Sequence, residues 1–137
     1  MITVASRRLW ELRILLVDDD LDWRDSFAAI LRSQGANVTA SRSVAEARRQ
    51  LQRYSFDMLL TDVHMPGEDG RALIGAVRPS STGATRLRAV AMSSCDDASL
   101  RHGLLRSGFD AFIPKSTAMP SILCALNDLA SSAQVAG

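Results

Sequence analysis

Apolar and polar positions fall along this chain in two kinds of block. Five short, nearly continuous apolar runs, Leu12 to Val17, Ala36 to Ala40, Phe56 to Thr61, Arg88 to Met92 and Asp110 to Ile113, have the length and composition of strands covered on both faces. Between them, apolar residues recur at helical spacing. Trp23, Phe27, Ile30 and Leu31 lie on one stripe of a first helix, and Gly35 stands where a left-handed residue closes it. Ser43-Val44-Ala45-Glu46 reads as a capping box that opens a second helix with Val44, Ala47 and Leu51 turned inward. A third helix is predicted from about Asp69 to Val77, with Leu73, Ile74 and Val77 as its apolar face. A fourth is predicted from about Asp97 to Arg106. A fifth, from about Ala118 to Ala130, carries the stripe Ile122, Leu126 and Leu129.

Strands and helices in strict alternation imply a doubly wound α/β domain, because right-handed crossovers between parallel strands put helices on both faces of the sheet. The 137 residues are enough for one core and too few for two. The expected layout is an N-terminal extension over 1–11, the domain over 12–130 and a frayed tail over 131–137. Pro79 to Thr85 is read as a surface loop.

Composition narrows the function. With 16 basic residues against 15 acidic ones the formal net charge is +1, which gives no general reason to expect direct nucleic-acid binding. No apolar stretch approaches the ~20 residues needed to cross a bilayer. Cys95 and Cys124 have neither metal-ligand spacing nor the number for a disulfide framework, so they read as packing residues of a reducing, cytoplasmic protein.

Four polar clusters sit where the strand-like runs stop: Asp18-Asp19-Asp20, Asp62, Ser93-Ser94 and Lys115. Open parallel sheets bind ligands beyond the carboxyl ends of their strands. Carboxylates, hydroxyl and ammonium are therefore expected to meet at one sheet edge. Bare carboxylates about 4 Å apart repel by roughly 4 kcal/mol per pair at an effective dielectric of 20, and Mg²⁺ is the natural counter-charge, since it takes a few carboxylate oxygens and leaves positions for phosphate. An aspartate so held is a candidate nucleophile toward phosphorus. Ser93 and Lys115 are candidates to orient and neutralise the transferred group. Asp20 and Asp22 read more simply as helix N-terminal capping and dipole charges.

These residues carry a resemblance. The segments Ile14 to Asp20, Asp57 to Gly70, Val90 to Ser94 and Gly108 to Lys115, in that order and spacing, resemble the receiver domain of bacterial two-component response regulators. The resemblance implies a flavodoxin-like five-stranded parallel sheet of order 2-1-3-4-5 with five helices. It implies that Asp62 accepts phosphate from a histidine kinase or phosphotransfer protein. Asp18, Asp19, Asp62 and the backbone carbonyl of His64 would hold Mg²⁺, with Mn²⁺ as a substitute. Ser93, Ser94, Lys115, Val63 and His64 would surround the phosphoryl group, and Ser93 and Phe112 would form the switch.

The chain would then act as a signalling switch and not as an enzyme on external substrates. It would read out through a downstream protein partner at the face of the fourth helix, fifth strand and fifth helix, as a monomer or a phosphorylation-dependent dimer. Lys115 is followed by Ser116 where many receivers have proline, so a trans peptide is expected there. His64 is expected to set phosphoryl lifetime. Two other readings stay open: a pseudo-receiver that binds partners without phosphotransfer, and an aspartate-dependent phosphatase, for which Asp22 stands at an uncharacteristic position.

Overall fold

The computed structural model describes residues 12–67, 69–77 and 87–135. Strands β1 (Arg13–Val17), β2 (Asn37–Ser41), β3 (Met58–Asp62), β4 (Arg88–Ser93) and β5 (Ala111–Pro114) alternate with helices α1 (Leu21–Ser33), α2 (Val44–Arg53), α3 (Ala72–Val77), α4 (Ala98–Arg106) and α5 (Met119–Val135). The strands form one parallel sheet in the order β2-β1-β3-β4-β5, with Ile14 opposite both Val38 and Met58. This is the doubly wound, flavodoxin-like arrangement.

The strands are apolar throughout because both faces are covered. On one face Ile14, Leu16, Met58, Leu60, Val90, Met92 and Ile113 pack against Phe27 and Leu31 of α1 and against Ile122 and Leu126 of α5. On the other, Leu15, Val17, Leu59, Ala89, Ala91 and Phe112 pack against Val44 and Ala47 of α2, Leu73 and Ile74 of α3, and Leu104 of α4. Alternate residues of each strand serve opposite layers. At the amino-terminal edge the sheet is clipped shut by side chains: Asp57 accepts from the Arg13 backbone and guanidinium, and Asp110 accepts from the Ala89 N–H at 2.8 Å. The carboxyl ends are left for chemistry.

Local sequence explains the helix ends. The Asp20 carboxylate accepts from the Trp23 N–H at 3.2 Å, and Gly35, at φ 91°, follows the end of α1. Ser43 Oγ accepts from the Glu46 N–H at 3.1 Å. The Glu46 carboxylate reaches back to the Arg42 N–H at 3.3 Å, one residue earlier than a standard capping box requires.

Three expectations are corrected. The third helix begins at Ala72 and not near Asp69, because the Gly70 N–H bonds to the Val63 carbonyl at 2.9 Å and the Asp69 carboxylate accepts from the Arg71 N–H at 2.8 Å. Those bonds make a turn in place of the first helical rung. The tail placed over 131–137 is helical as far as Val135, a continuation of α5. Cys95 and Cys124 are exposed thiols and not packing residues. The extension over 1–11 and the loop from Pro79 to Thr85 lie outside the described residues.

Gly103 sits inside α4, and a Cβ added there would meet nothing within 4 Å. Glycine costs a helix interior roughly 1 kcal/mol relative to alanine. Gly103→Ala is therefore expected to raise the stability of the protein by about 0.5–1 kcal/mol in denaturant unfolding, and to slow amide exchange in α4, which is expected to be the least protected helix of the wild type.

Candidate functional site

Every strand-end cluster foreseen in the sequence arrives at the same edge of the sheet. Asp18 follows β1 and is buried. Its N–H donates to the Ser41 carbonyl at 3.0 Å, its carboxylate accepts from the Asp20 N–H at 2.9 Å, and its carbonyl accepts from the Arg24 guanidinium at 3.1 Å. These bonds fix the turn that presents Asp18 and the exposed Asp19. Asp62 is the last residue of β3 and is buried apart from 8% of its surface. One carboxylate oxygen from each of Asp18, Asp19 and Asp62 lies within 4.8 Å of the others.

On the neighbouring strands the positive and hydroxyl groups complete the set. The Lys115 N–H donates to the Ser93 carbonyl at 2.8 Å, which ties the end of β5 to the end of β4. From there Lys115 Nζ reaches Asp18 Oδ2 at 2.7 Å and Asp62 Oδ1 at 3.7 Å. Ser93 is fully buried, and its Oγ accepts from the Cys95 N–H at 3.0 Å, so the hydroxyl proton is still available as a donor. Ser94 and His64 are exposed at the rim, whereas Val63 is buried below it.

The electrostatics follow from this crowding. Burial above all, then the neighbouring Asp18 charge, pushes the Asp62 carboxyl up to about 6; the Lys115 ammonium and the Val63 N–H pull it back. One ammonium thus stands against three close carboxylates. All-oxygen donors with surplus negative charge suit a hard divalent cation, for which a few carboxylates plus water and phosphate oxygens are the preferred shell. The residues present fit Mg²⁺.

Two features went unread in the sequence. Gly70 lies against the Asp62 peptide: a Cβ there would press on the Asp62 carbonyl oxygen and on Thr61 Oγ1, and the Thr61 hydroxyl itself donates to that carbonyl at 2.9 Å. A glycine eight residues beyond the strand-end aspartate gives no periodic signal of its own. Phe112, expected as the switch aromatic, is buried beneath the Arg101 guanidinium, whose carbon lies 5.2 Å from the ring centroid. Arg101 is in turn held by Asp96 at 3.0 Å. Among the described residues no peptide is cis, Lys115–Ser116 included.

Comparison with known proteins decides the family. The model for the response regulator receiver domain matches residues 14–127. This chain belongs to the response regulator receiver domains. An uncharacterized 14.6 kDa protein in the sodA1 3′ region of Leptolyngbya boryana is 40% identical over 107 residues, covering 78% of this chain and 81% of that one. A response regulator receiver protein of Anaeromyxobacter is 36% identical over 113 residues, covering 81% of this chain but 45% of its own length. The chain therefore spans less than half of that relative. Among solved structures, the BeF3-activated N-terminal receiver domain of RstA from Klebsiella pneumoniae superposes with a TM-score of 0.76 at 27% identity, covering 87% of this receiver and 97% of that chain. Receiver domains are signalling switches of two-component systems, and no described helix of this one is long and apolar enough to cross a membrane.

Proposed function

We propose that this receiver accepts a phosphoryl group on Asp62 from a histidine kinase or phosphotransfer protein. The observation that carries the reading is the meeting of Asp18, Asp19 and Asp62 within 4.8 Å beneath a lysine that touches two of them. An Asp62 oxygen attacks the donor phosphorus as the phosphorus–nitrogen bond of a phosphohistidine breaks, and the electron pair and a proton go to the departing imidazole. Asp18, Asp19, Asp62 and the His64 carbonyl would hold Mg²⁺, or Mn²⁺ in its place. The bound ion supplies positive charge for the phosphoryl oxygens.

The chain's own groups do the rest. Lys115 leaves Asp18 to bind a phosphoryl oxygen, and Ser93, whose hydroxyl proton is free to donate, turns toward another. Phosphorylation adds a charge of about −2 at the sheet edge and biases an existing equilibrium between two states. For Phe112 to rotate with Ser93, its stacking under Arg101 must break. Output then passes through the surface of α4, β5 and α5 to a downstream protein, with the receiver acting as a monomer or as a phosphorylation-dependent dimer.

Incubation with acetyl phosphate and Mg²⁺ followed by intact-mass analysis tests this. A single phosphoryl adduct that maps to Asp62 supports it. No adduct leaves the pseudo-receiver as the better account, and turnover of external phosphomonoesters favours the phosphatase. His64, exposed two residues past Asp62, is expected to govern how long the adduct lasts: His64→Ala should change the dephosphorylation rate by about twofold to tenfold while leaving acceptance intact. An unaltered decay would remove His64 from the mechanism.

A further inference from the structure

Trp23 lies in the first turn of α1 beside the acidic edge, and packing alone accounts poorly for it. Its ring lies 5.4 Å from that of Phe27, tilted by 37°, and Phe27 is fully buried, so the indole is anchored in the core beneath α1. Yet its Nε1 is buried with no hydrogen-bond partner. A buried unsatisfied donor is costly, and a wholly apolar side chain such as phenylalanine would pack against the same core without that cost. What indole offers above other side chains is the strongest π face for a cation. The Lys115 ammonium lies 5.4 Å from its ring centroid.

Lys115 needs such a surface. Its ammonium is drawn to Asp18 at 2.7 Å and stands off Asp62 at 3.7 Å, and it must give up Asp18 when a phosphoryl group arrives. A second carboxylate as guide would occupy an N–H that the phosphoryl oxygen requires. An aromatic face attracts the charge without a lone-pair acceptor and leaves the N–H groups free, while shielding that side from water. We infer that Trp23 is a positioning residue for phosphoryl transfer, acting through Lys115; this rests on Asp62 being the phosphoacceptor.

The test measures the rate of phosphorylation by acetyl phosphate with Mg²⁺ for the wild type, Trp23→Phe, Trp23→Leu, Lys115→Met and the double variant Trp23→Leu/Lys115→Met. Trp23→Leu is expected to slow the reaction by about threefold to tenfold, and Trp23→Phe, which keeps a π face, by no more than about twofold. In the Lys115→Met background the leucine substitution should cost nothing further. Equal losses in both backgrounds, equal losses for Phe and Leu, or no loss at all would overturn the inference.

Should Trp23→Leu fail to fold, emission decides. In a Trp10→Phe protein, which retains a single tryptophan, Trp23 fluorescence should change on adding Mg²⁺ with beryllofluoride, and that change should vanish with Lys115→Met. A change that persists without the lysine overturns it. A wild type that takes up no phosphoryl group sinks the Asp62 assignment and this proposal together, whereas a labelled wild type with an indifferent Trp23→Leu sinks this one alone.

Discussion

Replacing Asp62 with asparagine is expected to abolish the phosphoryl adduct completely and, at the same time, to make the metal-free protein more stable. The two effects have one cause. Asparagine keeps the shape of the side chain but offers no nucleophilic oxyanion, so no acyl phosphate can form. It also removes a charge that the fold tolerates badly: burial and the adjacent Asp18 raise the Asp62 carboxyl to about 6.

The sign follows from proton linkage. Between the ordinary value of an unfolded aspartate and about 6, the folded state holds a proton that the unfolded chain releases, so wild-type stability falls as pH rises through that window. At pH 7 both states are ionised and the whole penalty, on the order of 3 kcal/mol, is present. Asp62→Asn should therefore melt higher than wild type in EDTA at pH 7, with the gap closing toward pH 4. Added Mg²⁺ should stabilise the wild type more than the variant, since the ion relieves the same repulsion. An adduct on Asp62→Asn of the wild-type mass would end the assignment of this residue.

Gly70→Ala is expected to be far more damaging than the same methyl at Gly75 or Gly103. A Cβ at that position would overlap the Asp62 carbonyl oxygen and crowd Thr61 Oγ1, and neither can yield cheaply. One is backbone at the end of β3 and the other is buried and bonded to that same carbonyl. Overpacking of this kind costs about 1–3 kcal/mol, and relief requires Asp62 itself to move. The variant should lose stability in denaturant unfolding and accept phosphate at least about tenfold more slowly, since a displacement near 1 Å costs on the order of a hundredfold. Gly75→Ala provides the contrast. It adds the same methyl to α3 in open space and should, as at Gly103, raise stability slightly while leaving phosphorylation near wild type. If the two variants behaved alike, the close approach at Gly70 would have no functional weight.

How far the sequence anticipated the molecule depends on the distance over which each signal acts. Strand and helix identities were legible because burial on both faces leaves uninterrupted runs such as Leu59-Leu60, while one-sided burial leaves the stripe Phe27, Leu31. The site was legible because parallel topology sends every strand end to one edge, so Asp18, Asp62, Ser93 and Lys115 needed no knowledge of side-chain packing. What escaped was set by contacts across the fold. The late start of α3 depends on a bond from Gly70 to Val63, and a turn held that way looks helical to any local pattern. Trp23 looked like one more apolar residue of a stripe, since the lysine at its face comes from the opposite end of the chain. The cysteines read as packing because that is their usual habit, yet Cys95 follows the last strand-end hydroxyls and Cys124 lies on the outward side of α5.

Those two outward sulfurs have a practical consequence. Thiols open to solvent oxidise and pair between molecules in air, so a preparation without reductant can yield covalently linked pairs unrelated to signalling. The same accessibility gives two ready attachment points, one in the β4–α4 connection and one on the last helix, for spin labels whose separation would report on a change of state without any engineered residue.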